Sequence, residues 1–356
     1  MIGVAAALCL CGLACGWLLF RHMTVVPQVT GETPPTPITI IIPARNEAIN
    51  LPRLLQSLED TAPALEVIVV DDHSTDDTAR IAQAHGARVL PSQPLQLGWT
   101  GKTWACWQGA NAATSTLLLF LDADTYFARG GLARLRCFYR THHTGAALSV
   151  LPYHAVARPY EQLSLFFNLL MAAGAGGFSG LEQPKLFGQS LLIDRELYFR
   201  AGGHQAVRQQ GLENLHLASQ VAAAGGALVT AVGRGTLEMR MFPEGYTQLL
   251  QGWKRGSADG AAAATPRSLL LSMAWIASAT VAFIALAISR GSSGIAAAIY
   301  LLVVAQVYRV ARRIGGFRWT TAVLYPLPLL FYFAVLGLSA GSRRLGKPST
   351  WKGRQL

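Results

Sequence analysis

Carboxylates cluster at two points in this sequence, and each cluster closes a β-rich run. Asp122-Ala123-Asp124 follows the five apolar residues Leu117 to Leu121, and Asp71-Asp72 ends the run Leu65 to Val70. Two carboxylates one residue apart at a strand end can hold a divalent cation, Mg2+ or Mn2+, which neutralises the charge that builds on a departing diphosphate. Asp-x-Asp alone arises often by chance. Its position after an apolar strand and downstream of other polar strand ends makes metal binding by Asp122 and Asp124 the stronger reading. An earlier run ends in Pro43-Ala44-Arg45-Asn46-Glu47, so Pro43, Arg45, Glu47, Asp71 and Asp72 should gather at neighbouring strand ends. Polar groups there can hydrogen-bond a nucleotide base and ribose. Ser74, Thr75 and Asp76 suit helix capping as well as ligand contact.

A second candidate is Gly98-Trp99-Thr100-Gly101-Lys102-Thr103-Trp104. Its glycines allow close backbone approach, and Lys102 at a helix start can meet phosphate oxygens beside free N–H groups. The Gly-x4-Gly-Lys-Ser/Thr spacing of a P-loop is absent, and Trp99 and Trp104 serve packing as readily as binding. His154, His204 and His216 lack the spacing of a metal-ligand cluster; such histidines are more often hydrogen-bonded structural residues, with a supporting role open for His154 and His204.

The elements that must position these groups follow from periodicity. ITIIIP, LEVIVVD, LLLFLDAD and AALSVLP alternate with helical segments that begin near Glu47, Thr75 and Lys102 and after Gly130. Strand–helix alternation at this spacing predicts an α/β domain with a Rossmann-like, mostly parallel sheet over residues 37–257. Ligands of such sheets bind at the carboxyl ends of the strands, where the polar motifs lie.

Composition places that domain beside a membrane. Of 356 residues 51% are hydrophobic and 14% charged, too oily for an ordinary soluble chain. Residues 1–21 contain an apolar run, Ile2 to Phe20, followed by Arg21 and His22, which reads as an N-terminal anchor; a signal peptide would carry Lys or Arg ahead of that run. Residues 265–341 hold three further apolar segments, at Ser268–Ser289, Gly294–Ala311 and Trp319–Ala340. The first and third are long enough to span, while the second is short and carries Gln306 and Tyr308. The basic loop at Arg312, Arg313 and Arg318 and the basic tail, residues 342–356, both ask for the cytosolic side. A crossing at Trp319–Ala340 would satisfy only one of them, whereas a bend at Pro326 and Pro328 would satisfy both. The net charge of +11 lies largely beside apolar segments, which favours anionic lipid over nucleic acid. Five cysteines without framework spacing fit a reduced compartment. A multi-pass cell-membrane protein with a cytosolic catalytic domain is expected.

The ordered set IIPARNE, VVDDHSTD, GWTGK, LDAD, FGQ, AGGH and QGWKR resembles the inverting GT-A glycosyltransferase family 2, which includes polysaccharide synthases and dolichyl-phosphate sugar transferases. VLPYHAVARPYEQLSLFFNLL, RMFPEGYTQLLQGWKR and WKGRQ resemble more narrowly its carotenoid-acid glycosyltransferases. The resemblance implies a UDP-sugar donor, UDP-glucose, and a lipid or terpenoid acceptor, a carboxylic acid esterified by the sugar. It implies a metal at Asp122 and Asp124, donor contacts at Asp71 and Asp72, and an acceptor-side clamp formed by Gln251, Trp253 and Arg255, with Gln189 of FGQ beside it. The usual Gln-x-x-Arg-Trp order is not reproduced here.

Relatives that glycosylate hydroxyls carry Glu-Asp at a helix head, with the Asp as general base; the matching residues here are Glu213-Asn214. An Asn cannot take that proton, and a placed base contributes roughly 10²–10⁴-fold. A carboxylic acid, with pKa near ~4.5, arrives ionised and needs none. Glu213 is then either itself the base or a first-turn residue favoured by the helix dipole. With Glu213, Asn214 and Asp124 as the candidate catalytic set, the expected activity is transfer of a sugar to a terpenoid acid. A hydroxyl- or phosphate-lipid transferase and a catalytically inactive nucleotide-sugar-binding membrane protein are the alternatives.

Overall fold

The computed structural model describes residues 2–28, 37–59, 65–142, 144–210, 213–289, 293–344, 350–351 and 354–355; most of the Pro27–Pro37 linker and of the basic tail lies outside the described residues. After α1 (Ile2–Phe20) come β1 (Ile38–Ala44), α2 (Leu51–Glu59), β2 (Leu65–Asp71), α3 (Thr78–Ala84), β3 (Arg88–Pro91), α4 (Gly101–Ala112) and β4 (Leu117–Leu121). The chain continues through β5 (Thr125–Phe127), α5 (Gly131–His142), β6 (Ala146–Leu151), β7 (Tyr153–His154), α6 (Leu165–Gly174) and β8 (Ser190–Asp194). The domain closes with α7 (Arg195–Arg200), α8 (Gly203–Ala206), α9 (Glu213–Ala223), β9 (Ala227–Val232), β10 (Leu237–Met239) and α10 (Tyr246–Ala263).

Seven strands form one sheet in the order β3-β2-β1-β4-β8-β6-β9. β3, β2, β1 and β4 run parallel, with Ala44 of β1 level with Asp71 of β2. β8 is antiparallel to both β4 and β6, a strand that the apolar periodicity did not single out. Its SLLID run is short and sits between motifs that read as loops. The sheet is buried on both faces, as parallel strands require. Along β1, Ile38, Ile40 and Ile42 pack into the core on the α2 side while Ile41 packs beneath α4; along β4, Leu119 and Phe120 divide in the same way. This period of two carries the strands straight to their polar carboxyl ends.

Beyond α10 lie α11 (Pro266–Ile288), α12 (Gly294–Ile314), α13 (Trp319–Val323) and α14 (Pro326–Arg344). Among the described residues, α11 and α12 are the two helices long and apolar enough to cross a membrane. By length and composition α12 qualifies although the second apolar segment read as marginal, and the third segment takes the bend that Pro326 and Pro328 allow. α12 extends to Ile314, and its Gln306 is satisfied inside the bundle, accepting from the Trp275 indole at 2.8 Å and donating to the Leu13 carbonyl at 2.8 Å. The third segment breaks between Val323 and Pro326, because Pro has no N–H to continue a helix. The apolar stretch of α1, Ala5–Phe20, is shorter than either spanning candidate. It packs along α11 through small residues: a Cβ at Gly12 would collide with Ser278, and one at Gly16 with Trp275 and Gln306.

That close approach gives a test of how the helices are held. Gly12→Val should destabilise the protein by about 1–3 kcal/mol, the usual cost of overpacking, read as a lower melting temperature in detergent. Gln306→Leu should cost about 0.5–2 kcal/mol by deleting both interhelical hydrogen bonds. Gly3→Val, whose added methyl meets nothing within 4 Å, should leave the melting temperature unchanged.

Candidate active site

The loops after β1 and β2 are tied to each other. The Asn46 side chain accepts from Thr75 N (2.8 Å) while its own N–H donates to Ser74 Oγ (3.0 Å). Glu47 N donates to Thr78 Oγ1 (2.8 Å), and the Asp76 carboxylate accepts from Ala48 N and Thr78 N. Asn46 and His73 adopt left-handed φ of 53° and 55° to make these turns. Ser74, Thr75 and Asp76 are therefore engaged in holding loops and the start of α3. Asp72 is buried and meets Arg45, which donates to the Asp72 carbonyl at 2.8 Å and lies 3.8 Å from its carboxylate. The Asp71 Oδ1, at the carboxyl end of β2, is buried without a hydrogen-bond partner.

Lys102 enters from the first turn of α4, whose N-cap Thr100 forms a capping box with Thr103. Its Nζ lies 2.7 Å from Asp122 Oδ1 and 2.7 Å from Glu213 Oε1 and donates to the Gly188 carbonyl at 3.0 Å. Burial opposes the ammonium, but Asp122 and Glu213 outweigh it and hold Lys102 well above its ordinary value. The same contact acts in reverse on Glu213, where burial would raise the carboxyl and the Lys102 ammonium pulls it below the usual range. Asp122 moves up, because burial together with Glu213 and Glu47 exceeds the help from Lys102. Asp124 is pushed up to about 7 by burial and by Asp122 and Glu47, and its Oδ1 is buried without a partner.

Asp122 and Glu213 thus share one ammonium, with Glu47 near enough to raise both Asp122 and Asp124, and burial among these carboxylates is felt most at Asp124. Among the described residues no group of three or more His, Cys, Asp and Glu side chains forms a complete metal site. Asp122 and Asp124 nevertheless fit an Mg2+ or Mn2+ ion, which commonly takes one or two carboxylates and completes its shell with water and substrate phosphate. The orphaned Asp124 oxygen and the surplus negative charge are the features that an ion would satisfy.

Three consecutive carbonyls frame the opposite wall. Phe187 O accepts from Asn214 Nδ2 at 2.7 Å, Gly188 O accepts from Lys102, and Gln189 O accepts from Asp122 N at 3.1 Å. Ser149 on β6 fixes this strap, accepting from Phe187 N at 2.8 Å and donating to Ser190 O at 2.7 Å. The Gln189 amide oxygen and the Asn214 Oδ1 are buried without partners. Asn214 is held as an amide by the Phe187 carbonyl, which needs a donor.

Pro43 lines the small cavity with Lys102, Asp122, Glu213 and Asn214, and so do Cys106 and His204, which spacing alone did not bring to the site. His204 Nδ1 meets Tyr198 Oη at 2.9 Å, and burial lowers the imidazole to about 4, so it is neutral. Burial raises the Cys106 thiol far above its normal value, which leaves it unreactive. His154 lies elsewhere, stacked on Phe317 where the domain meets the end of α12. A groove of about 1000 Å³ bounded by Thr116, Asp194 and Arg195 lies at the amino end of β4, away from the carboxylates.

Of the clamp residues expected on α10, one packs in the core. Trp253 is buried in the core, donating to Ser164 Oγ at 2.9 Å and stacking on Phe167 with ring centroids 4.4 Å apart. Gln251 is exposed on the same helix, and the Arg255 side chain lies outside what is described. The indole of the QGWKR motif serves packing because α6 and α14 close over it.

Sequence and fold comparisons agree with this geometry. The profile of glycosyl transferase family 2 matches residues 39–215. A 4,4'-diaponeurosporenoate glycosyltransferase of Staphylococcus aureus (strain USA300) is 31% identical over 353 residues, which cover 96% of this chain and 94% of that protein. The same enzyme of strain bovine RF122 / ET3-1 matches to the same extent. Among solved structures, the mannosyltransferase PcManGT of Pyrobaculum calidifontis, in complex with GDP-Man and Mn2+, superposes with a TM-score of 0.53 at 21% identity, covering 96% of this chain and 99% of that one, which establishes a common fold. The chain belongs to glycosyltransferase family 2 and is a glycosyltransferase of GT-A architecture.

Proposed function

We propose that this enzyme is a membrane-bound, inverting glycosyltransferase that moves glucose from UDP-glucose to a terpenoid carboxylic acid, giving a glycosyl ester. The observation that carries the choice of acceptor is the state of the two residues at the head of α9. Asn214 spends its amide N–H on Phe187 O, and Glu213 is ion-paired with Lys102 and held below its usual pKa. Neither is a free base, so the acceptor should arrive without a proton to lose. The likeness to enzymes named for a carotenoid acid supports the same choice.

In this reading Asp71 and Asp72 accept from the nucleoside of the donor, and Arg45 steadies Asp72. Asp122 and Asp124 would hold a divalent ion, which would supply positive charge where the diphosphate departs. Lys102 adds a fixed cation beside it, and Gly188 O keeps that ammonium aimed into the cleft. The acceptor carboxylate attacks the sugar C1 from the face opposite the diphosphate; the new C1–O bond forms as the C1–O bond to phosphate breaks, and UDP leaves with the electron pair. No proton changes hands. Gln189 and Gln251 remain candidates for the acceptor side, and α11 and α12 bring a lipid acceptor and the site to one surface.

Two experiments address the reading. Asp124→Ala and Asp122→Ala should abolish transfer while the protein still integrates into membranes, and chelation should do the same until Mn2+ or Mg2+ is restored; full activity in chelator would reject the metal. The native product should be cleaved by mild alkali, as an ester is and an ether-linked glycoside is not. Asn214→Asp should slow ester formation strongly, since its carboxylate would face both Phe187 O and an anionic acceptor, a repulsion of roughly 3 kcal/mol for charges ~5 Å apart at an effective dielectric near 20. An alkali-stable product with faster transfer by Asn214→Asp would favour a hydroxyl acceptor, for which the new Asp supplies a base.

A further inference from the structure

No charged residue occurs between Arg318 and Arg343, a stretch long enough to cross a bilayer if it were one straight helix. It is not straight. α13 ends at Val323, α14 begins at Pro326, and both ends of the unit are fastened to the catalytic domain. At the entry, Arg318 N and Thr321 Oγ1 donate to Gln162 Oε1 at 3.2 and 2.6 Å. At the exit, Ser339 Oγ donates to the Lys254 carbonyl of α10 at 3.0 Å.

The turn between the two helices lies one short helix beyond the entry and reaches into the bundle. Tyr325 Oη donates to Ala279 O at 2.8 Å, near the middle of α11, and Tyr300 Oη, in the second turn of α12, donates to Val323 O at 2.5 Å. α11 starts and α12 finishes on the catalytic-domain side, where Thr265 donates to Glu182 and Gly315 is bridged to His154. The tip is therefore level with the interior of the two spanning helices. Its backbone is also provided for: Tyr300 caps the Val323 carbonyl that Pro326 cannot reach, and Tyr325 N and Leu327 N find Ala322 O and Leu324 O. Inside hydrocarbon, where water is absent, a broken helix needs such partners. The outward face of the unit is apolar and exposed at Leu324 (53%), Leu327 (57%), Leu330 (59%) and Phe333 (43%).

From this geometry we infer that residues Trp319 to Arg344 are a re-entrant helical hairpin. It dips into the acyl region of the leaflet facing the catalytic domain and returns to the same side, with lipid tails covering its outer face. The inference rests on the reading that α11 and α12 cross a bilayer. It removes the conflict of charges, because Arg312, Arg313 and Arg318 precede the hairpin and Arg343 and Arg344 follow it on one side. It also sets a lipid-facing surface against α6 and α10, through Phe331 and Tyr332 packed on Phe167.

Single cysteines in an active, otherwise cysteine-free full-length chain test this in sealed vesicles of each orientation with an impermeant thiol reagent. Gln83→Cys, Thr320→Cys and Gly341→Cys should label from one side and Gly294→Cys from the other. Leu327→Cys should lose labelling from both sides, and a fluorophore placed there before reconstitution should be quenched by nitroxide lipid labelled on the acyl chain. Labelling of Gly341→Cys on the side of Gly294→Cys would overturn the hairpin while leaving the crossing of α11 and α12 intact. Gln83→Cys and Gly294→Cys labelling from the same side would overturn that crossing and the hairpin with it. Ready aqueous labelling of Leu327→Cys would also overturn the hairpin.

Discussion

One ammonium set among four carboxylates governs this site. Lys102 meets Asp122, Glu213 and the Gly188 carbonyl together, so its charge-bearing protons are committed before substrate arrives. Asp124 is pushed up to about 7 by burial and by the neighbouring Asp122 and Glu47, while Lys102 holds Glu213 low. The one carboxylate at the head of α9 has its proton affinity lowered by the ion pair with Lys102, which weakens it as a base.

The geometry of that ion pair depends on the strap from Phe187 to Gln189. Consecutive peptide carbonyls normally point in alternating directions along an extended chain, and here they reach Asn214, Lys102 and the Asp122 amide in turn. Ser149 and Ser190 lock the strap onto β6 from beneath. The Phe187 ring meanwhile belongs to the apolar cluster that includes Trp275 of α11, and it stacks on Phe178. One residue thus joins that cluster with its side chain and the site with its carbonyl.

Much of this was legible in the sequence, for identifiable reasons. β1, β2 and β4 announce themselves by unbroken apolar runs, and their carboxylates must fall at the carboxyl ends once the strands are parallel. Lys102 was readable as a cation at a helix start, but its contact with Glu213 was not, since the two lie more than a hundred residues apart and meet only through the fold. The strap was hidden because backbone carbonyls leave no trace in residue type. Trp253 was misplaced for the opposite reason: a motif suggested a clamp, while burial by α6 and α14 is a tertiary outcome that overrides the motif. The antiparallel β8 escaped because five residues carry too little periodicity to separate a strand from a loop.

The third apolar segment shows how the charge rule and backbone chemistry combine where neither suffices alone. Length and composition permit Trp319–Ala340 to cross, and the flanking arginines forbid it only if both groups must share a side. Pro326 and Pro328 provide the break, yet a proline break in hydrocarbon leaves carbonyls that need donors. The bundle supplies one at the required depth, the Tyr300 hydroxyl on Val323 O, while Tyr325 fastens the tip to α11. Tyr300 on α12 and Tyr325 at the turn are unexplained by hydropathy. Both fit the proposed hairpin, in which the chain turns around before reaching the far side.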